Sequence, residues 1–373
     1  MATDELSGQR KKKHKDIWDS SEENRFVSLI KECITDYKLK LDGLNVLTEA
    51  ASGNYASTAL ASALAGAEKV IAITKSSHYG LAKEVKRKIT RYSSELGVDD
   101  KIKFVSNKRK IDVANSDIIT NLGFVRPIDT LTIKWMKPTA VIPLMYESWE
   151  FRELDIDVET SAKRGIPVIG VNEGRRGADT FKFCGTLAIK LILETGLECC
   201  DNHIAVVSKD QFGRVILQVL RKNGANTILL PNLNSKQSRK VLCKCDALVL
   251  ADYSSELLIG QGGQISWNVL RHLAPGITVV QICGVARCDE NSEGITCYPN
   301  RELEPYHMSH TLSYLGPKPV INLNIAGLKV GELATRALQA KLSPEEAIQI
   351  TIKSGFGQKI PKWFQYWNQN KDR

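Results

Sequence analysis

The chain has 373 residues, 43% of them hydrophobic and 25% charged, with 12 prolines, 26 glycines and a formal net charge of +9. That length favours two domains, and the apolar fraction is enough for real cores, which excludes a disordered or fibrous chain. Five of the basic residues sit in 10–15, inside a polar arm (1–20) that reads as a solvated tail, and no basic stripe interleaved with aromatics follows. The charge therefore argues against a nucleic-acid binder. No secretory signal precedes the globular part and no apolar run approaches membrane-spanning length. The nine cysteines are scattered without a C-x-x-C pair, which points to reduced thiols in a cytoplasmic protein and to no metal centre.

In chain order, residues 22–37 predict an amphipathic helix, 44–49 a strand, Ser52-Gly53-Asn54 a turn and 55–67 an alanine-rich helix. Residues 69–74 form the next strand and 81–96 a charged helix, followed by strands near 102–105, 117–121 and 140–145. Short apolar strands alternating with helical patterns predict a parallel, doubly wound sheet. A helix over 178–196 leads out of this first domain. At 203–230 an apolar strand, a polar turn, a helix stopped at Asn223-Gly224 and a second strand give the opening of a dinucleotide-type βαβ unit. Of the G-x-G-x-x-G positions only Gly213 is a glycine; Ser208 and Asp210 stand at the others. Further strands are expected at 246–250, 277–282 and 319–323, then a helix from Gly327 to Ala340. Ser343-Pro344-Glu345-Glu346 is a capping box. Trp363, Phe364, Tyr366 and Trp367 form an anchor onto the chain's own core.

From about 110 to 335 these pieces, in this order, resemble the D-isomer-specific 2-hydroxyacid dehydrogenases. The likeness rests on DIDVETSAKRGIPVIGVNE, on HIAVVSKDQFGRVILQVLRKNGA, on APGITVVQI, and on Glu304-Pro305 followed by PVINLNIAG. It implies an α/β protein of two Rossmann-like doubly wound parallel-sheet domains joined by long linking helices. The expected division is 1–20 as tail, 21–195 with 327–373 as the substrate-type domain, and 196–326 as the dinucleotide-type domain. It implies an NAD(P)-linked oxidoreductase acting on a small carboxylate-bearing substrate in the cleft between domains, with a homodimer left open.

The chemistry departs from that family. Aligned on the motifs, Glu304 stands at the family's glutamate, Gly284 at its substrate-binding arginine and Asn324 at its catalytic histidine. The catalytic expectation is therefore Glu304 as acidic partner, Asn324 as an orienting amide and Arg287 as carboxylate anchor, with His307 and His310 as alternative proton carriers. Ser208, Lys209, Gly213 and Arg214 are the cofactor-binding expectation. Lys209 or Arg214 would have to offset the carboxylate of Asp210 beside a pyrophosphate. The hydroxyl-rich basic stretch 231–240 suits a 2′-phosphate, hence NADP over NAD, or else is a solvated helix start capped by Asn234 or Ser235. Arg126, Arg176 and Tyr146, near strand and helix ends of the first domain, are the substrate-binding expectation.

Two other readings stand beside the dehydrogenase. Folding needs neither the fingerprint glycines nor the arginine or histidine, so the scaffold would also serve a ligand-binding or partner protein without hydride chemistry. In addition, VLTEAASGNYASTALASALAGAEKVIAIT with LGVDDKIKFV and IITNLGF resembles class I S-adenosylmethionine-dependent methyltransferases, which implies methyl transfer in the first domain.

Overall fold

Leucine-, isoleucine- and valine-rich runs become parallel strands, the central ones buried on both faces, and the amphipathic stretches between them become the covering helices. The computed structural model describes residues 24–371 except 176, 178 and 288–293, so the basic tail and Arg176 lie outside the described residues. The contacts divide the chain into two units: the described residues before Asp179 together with those from Pro317 on, and Asp179–Gly316. The helix expected over 178–196 thus falls in the second unit, and residues 318–326 fall in the first.

Unit 1 opens with helix α1 (24–36). It continues through β1 (Asn45–Glu49), α2 (Ser57–Leu64), β2 (Lys69–Ile73), α3 (Ala82–Glu95), β3 (Ile102–Val105), α4 (Lys110–Asn115) and β4 (Ile118–Ile119). After α5 (Thr130–Trp135), β5 (Ile142–Pro143), α6 (Val158–Lys163) and β6 (Val168–Val171), the chain leaves for unit 2. It returns as α11 (Lys318–Gln339), α12 (Pro344–Lys353), β14 (Gly357–Lys359) and α13 (Pro361–Asn370). Strands run in the order β3-β2-β1-β4, all parallel, and the Ile118–Val141 bridge carries the sheet on to β5-β6-β14. Read in chain order this is 3-2-1-4-5-6, the dinucleotide-type order, plus the antiparallel edge strand β14.

The run 319–323 is not the expected strand. Pro319 lies in the first turn of α11, where its missing N–H costs nothing, and the helix continues unbroken to Gln339. This helix is buried on nearly every side because it is central to unit 1, and the polar groups it buries are paired, as Lys329 is with Glu332. Gly327 and Gly331 let it press on the sheet: a Cβ at the first would sit 2.3 Å from Met145 Sδ, and at the second 2.8 Å from Ile118 Cγ2. The capping box of α12 forms as expected. Trp363 is buried, donates to the carbonyl of Ile166 at 2.8 Å and stacks on Trp367.

Unit 2 holds α7 (Lys182–Glu194), β7 (His203–Val207), α8 (Gln211–Lys222), β8 (Asn226–Leu230), α9 (Lys236–Leu242) and β9 (Ala247–Ala251). The small strand β10 (Leu257–Ile259), α10 (Trp267–Leu273), β11 (Thr278–Cys283), β12 (Val285–Ala286) and β13 (Thr296–Tyr298) complete it. The main sheet is parallel in the order β13-β11-β9-β7-β8, which is 2-1-3-4-5 in local chain order, and β10 pairs with β12 apart from it. Both units are therefore doubly wound. The strand order reverses beside β1 in unit 1 and beside β7 in unit 2.

Candidate functional site

Ligands of doubly wound sheets sit outside the carboxyl ends of the strands, at the reversal of strand order. In unit 2 that place lies after β7, at Ser208-Lys209-Asp210, and after β9, at Asp252-Tyr253. Asp210 is the N-cap of α8, and its Oδ1 accepts the Phe212 N–H at 2.8 Å and the Ser208 hydroxyl at 3.0 Å. Its Oδ2 accepts the Tyr253 N–H at 2.8 Å. The Ser208 hydroxyl oxygen in turn accepts the N–H of Gly213 at 3.2 Å. The first-turn N–H groups of Phe212 and Gly213, which would face a pyrophosphate, are thus bound by the chain's own oxygens.

Ser208, Gly213 and Asp210 do meet, but around an internal carboxylate. Gly213 is required because a Cβ there would stand 2.3 Å from Ser208 Cβ. Lys209 is ion-paired with Glu256, so it does not offset Asp210. Arg214 is exposed on the first turn of α8. Above the bridge, Phe212 stacks on Tyr253 with centroids 5.6 Å apart, and Tyr306 meets Tyr253 edge-on at 5.9 Å. Asp252 is buried with one carboxylate oxygen unpartnered; burial raises its carboxyl above the usual range, the Ser254 hydroxyl opposes this, and the charge of Asp210 adds to it. The basic stretch 231–240 starts a helix as its plainer reading expected, with Ser235 as N-cap.

Glu304 is exposed in the loop after β13, and Arg287 is exposed after β12. At the arginine position, Gly284 has φ +100°, a backbone conformation that strains any residue with a side chain. His307 Nδ1 lies 2.9 Å from the carbonyl of Pro305, and His310 stacks on Tyr314, where burial lowers its pKa. Asn324, expected at the end of a strand, is buried in the middle of α11 and donates to the Thr58 hydroxyl at 2.8 Å. It is a packing amide of unit 1.

In unit 1 the corresponding place lies after β1 and β4. Thr48 and Thr120 join the two strands through a hydroxyl–hydroxyl bond of 2.9 Å. Glu49 ends β1, and its Oε2 accepts the Phe124 N–H at 2.8 Å. Burial raises the Glu49 carboxyl, opposed by that N–H and by the charge of Arg126. Of the substrate-binding expectation, the fold does bring Arg126 and Tyr146 together, but on Asp155: Arg126 Nη1 is 2.8 Å and the Tyr146 hydroxyl 3.4 Å from its Oδ2. Arg126 therefore has a carboxylate already. Three buried side-chain atoms here have no partner: Ser57 Oγ at the start of α2, Thr74 Oγ1 after β2 and Asn121 Nδ2 after β4. Sequence reasoning missed Glu49 and Asp155; a carboxylate closing an apolar strand was the available signal for the first.

No protein-family model matches the chain, and no curated protein matches it. Among solved structures it is similar to one chain of the dipicolinate synthase of Bacillus halodurans, at 12% identity and a TM-score of 0.48, over 80% of this chain and 99% of that one. It is similar to the corresponding chain of the dipicolinate synthase of Bacillus subtilis, at 12% identity and 0.46, over 82% and 100%. A D-lactate dehydrogenase of Treponema pallidum follows at 10% identity and 0.44, over 79% and 97%. The structural neighbours include 2-hydroxyacid dehydrogenases. At these identities the likeness is one of fold alone. Among the described residues no group of His, Cys, Asp and Glu is placed to hold a metal ion, and no helix is long and apolar enough to cross a membrane.

Proposed function

We propose that this protein binds a small ligand on a dehydrogenase-like scaffold and carries out no hydride transfer. The observation that carries this is the Asp210 bridge. A dinucleotide pyrophosphate at α8 would have to displace a carboxylate that accepts three hydrogen bonds, and would otherwise be repelled by it. The buried Asn324 and the left-handed backbone at Gly284 support the same reading, since neither a proton relay nor a carboxylate-binding guanidinium stands at those positions.

The ligand site we propose lies in unit 1, at the carboxyl ends of β1, β2 and β4. Ser57, Thr74 and Asn121 each leave a buried polar atom unpaired there, a condition that costs stability unless a ligand supplies the missing bonds. Beside Glu49 these groups suit a small polar molecule with both donors and acceptors, such as a hydroxy acid or an amino acid.

A thermal-shift screen of hydroxy acids, amino acids and S-adenosylmethionine tests this. A ligand at a hundred times its dissociation constant stabilises the fold by about 2.7 kcal/mol. The shift should be lost in Thr74→Val. A shift unaffected by Thr74→Val, or none with any of these compounds, would overturn the site. The rival reading, an NAD(P)-linked oxidoreductase, requires NADPH or NADH to raise the melting temperature and to be consumed with a 2-keto acid.

A further inference from the structure

At the opposite end of the unit 2 sheet, where β7 and β8 begin, lies a cavity of about 650 Å³. Its size is in the range of small-molecule sites. His203, Arg221, Lys240 and Lys244 line it, and among the described residues no acidic side chain does. Lys240 lies in the last turn of α9 and Lys244 just beyond its end. Neither forms an ion pair among the described residues. Arg221 is fixed in place, with Nε donating to the Thr227 hydroxyl at 2.9 Å and Nη2 to the Thr227 carbonyl at 3.1 Å. Thr227 belongs to β8, the edge strand of the sheet, so the guanidinium is held at the cavity with Nη1 uncommitted. The carboxylate of Asp246, next to the cavity residue Cys245 in the chain, accepts the His203 backbone N–H at 2.7 Å and lies 3.8 Å from the His203 ring, so an acid stands at the His203 side of the cavity.

Ile228 and Val241 give the same cavity an apolar stretch, and Ile228 is 40% exposed although it lies in a strand. Lys240, from the basic stretch that suited a 2′-phosphate by its sequence, thus lines a cavity at the amino ends of the strands, away from Asp210. From this we infer that the cavity binds a nucleoside polyphosphate. Its phosphates lie on Arg221, Lys240 and Lys244, and its flat base covers Ile228 and Val241. The inference is independent of the ligand proposed for unit 1, since no residue is shared.

Calorimetric titration of the full chain with ATP and with inorganic triphosphate tests it. ATP should bind about threefold or more tighter than triphosphate, because the base buries apolar surface on Ile228 and Val241. Lys240→Glu with Lys244→Glu should weaken ATP by about tenfold or more. Lys83→Glu with Lys86→Glu, the same charge change on the exposed face of α3, should leave it within about twofold, since screened charges at a distance contribute little. Absence of ATP binding, equal affinity for ATP and triphosphate, or equal loss in the two double variants would each overturn the inference.

Discussion

The carboxylate of Asp210 accepts the backbone N–H of Tyr253 at 2.8 Å and so ties the end of β7 to the end of β9. Unit 1 repeats the device, since Glu49 accepts the N–H of Phe124 at 2.8 Å and ties the end of β1 to the loop after β4. In each sheet the crevice at the reversal of strand order is bridged by the chain's own acid. At Asp210 the bridge presents negative charge where a nucleotide cofactor would bring its own.

If Asp210 carries the bridge, Asp210→Ala removes a helix cap and leaves the Tyr253 N–H unpaired. Loss of the cap costs about 1 kcal/mol. The orphaned N–H adds about 1 kcal/mol or more. Urea unfolding should therefore show a loss of about 2 kcal/mol, with the slope unchanged. A loss below about 0.5 kcal/mol, the range of ordinary surface substitutions, would mean the bridge does not hold the strand ends together.

Glu150 gives a pH dependence with a definite sign. Burial, with the charge of Glu147, raises its pKa to about 7, against the Glu147 backbone and Arg152, which lower it. A carboxyl raised in the folded state contributes stability that is complete below its unfolded pKa and is lost as pH rises through the folded value. Between about pH 5 and pH 8 the wild type should therefore lose on the order of 2 kcal/mol relative to Glu150→Gln. Denaturant midpoints of both proteins across that range measure it, and parallel curves would show that Glu150 titrates normally.

Thr74→Val should stabilise the unliganded protein. The Thr74 hydroxyl is buried without a partner, so replacing it by a methyl removes a desolvation cost of about 1 kcal/mol. A melting temperature higher than wild type is expected. A lower one would show that the hydroxyl is satisfied within unit 1 and is not held for a ligand.

The alternation of apolar runs and amphipathic stretches made the doubly wound sheets legible, because buried parallel strands and one-faced helices have different periods. The run 319–323 was not legible. An apolar run of that length fits a strand or a fully buried helix equally, and only packing at the centre of unit 1 decides for α11. The strand β14 was hidden for a related reason: Gly357-Gln358-Lys359 has no apolar alternation and pairs with β6 through its backbone. At the site, the loss of the fingerprint glycines was plain from Ser208 and Asp210. That Asp210 spends its charge on Phe212 and Tyr253 was not, since Tyr253 lies 43 residues on and only the fold brings it there.

Asn324→His would restore the residue type that the dehydrogenase likeness implies, and it should not restore the chemistry. The amide is buried against Thr58, so a larger ring there should cost about 1–3 kcal/mol by overpacking. A lowered melting temperature with no NADH oxidation by 2-keto acids is expected. Measurable keto-acid reduction would mean that residue 324 reaches a substrate after all.

The central claim is that the Asp210 bridge leaves no place for a dinucleotide in unit 2. Titration of the full chain with NADPH and with NADH, followed by cofactor fluorescence, tests it most directly, with Asp210→Gly titrated in parallel. The account predicts no binding of either cofactor to the wild type at millimolar concentration, and at most weak binding to the variant, in which the Phe212 N–H is released while Ser208 still holds that of Gly213. Micromolar binding to the wild type, with consumption of the cofactor by a 2-keto acid, would contradict it.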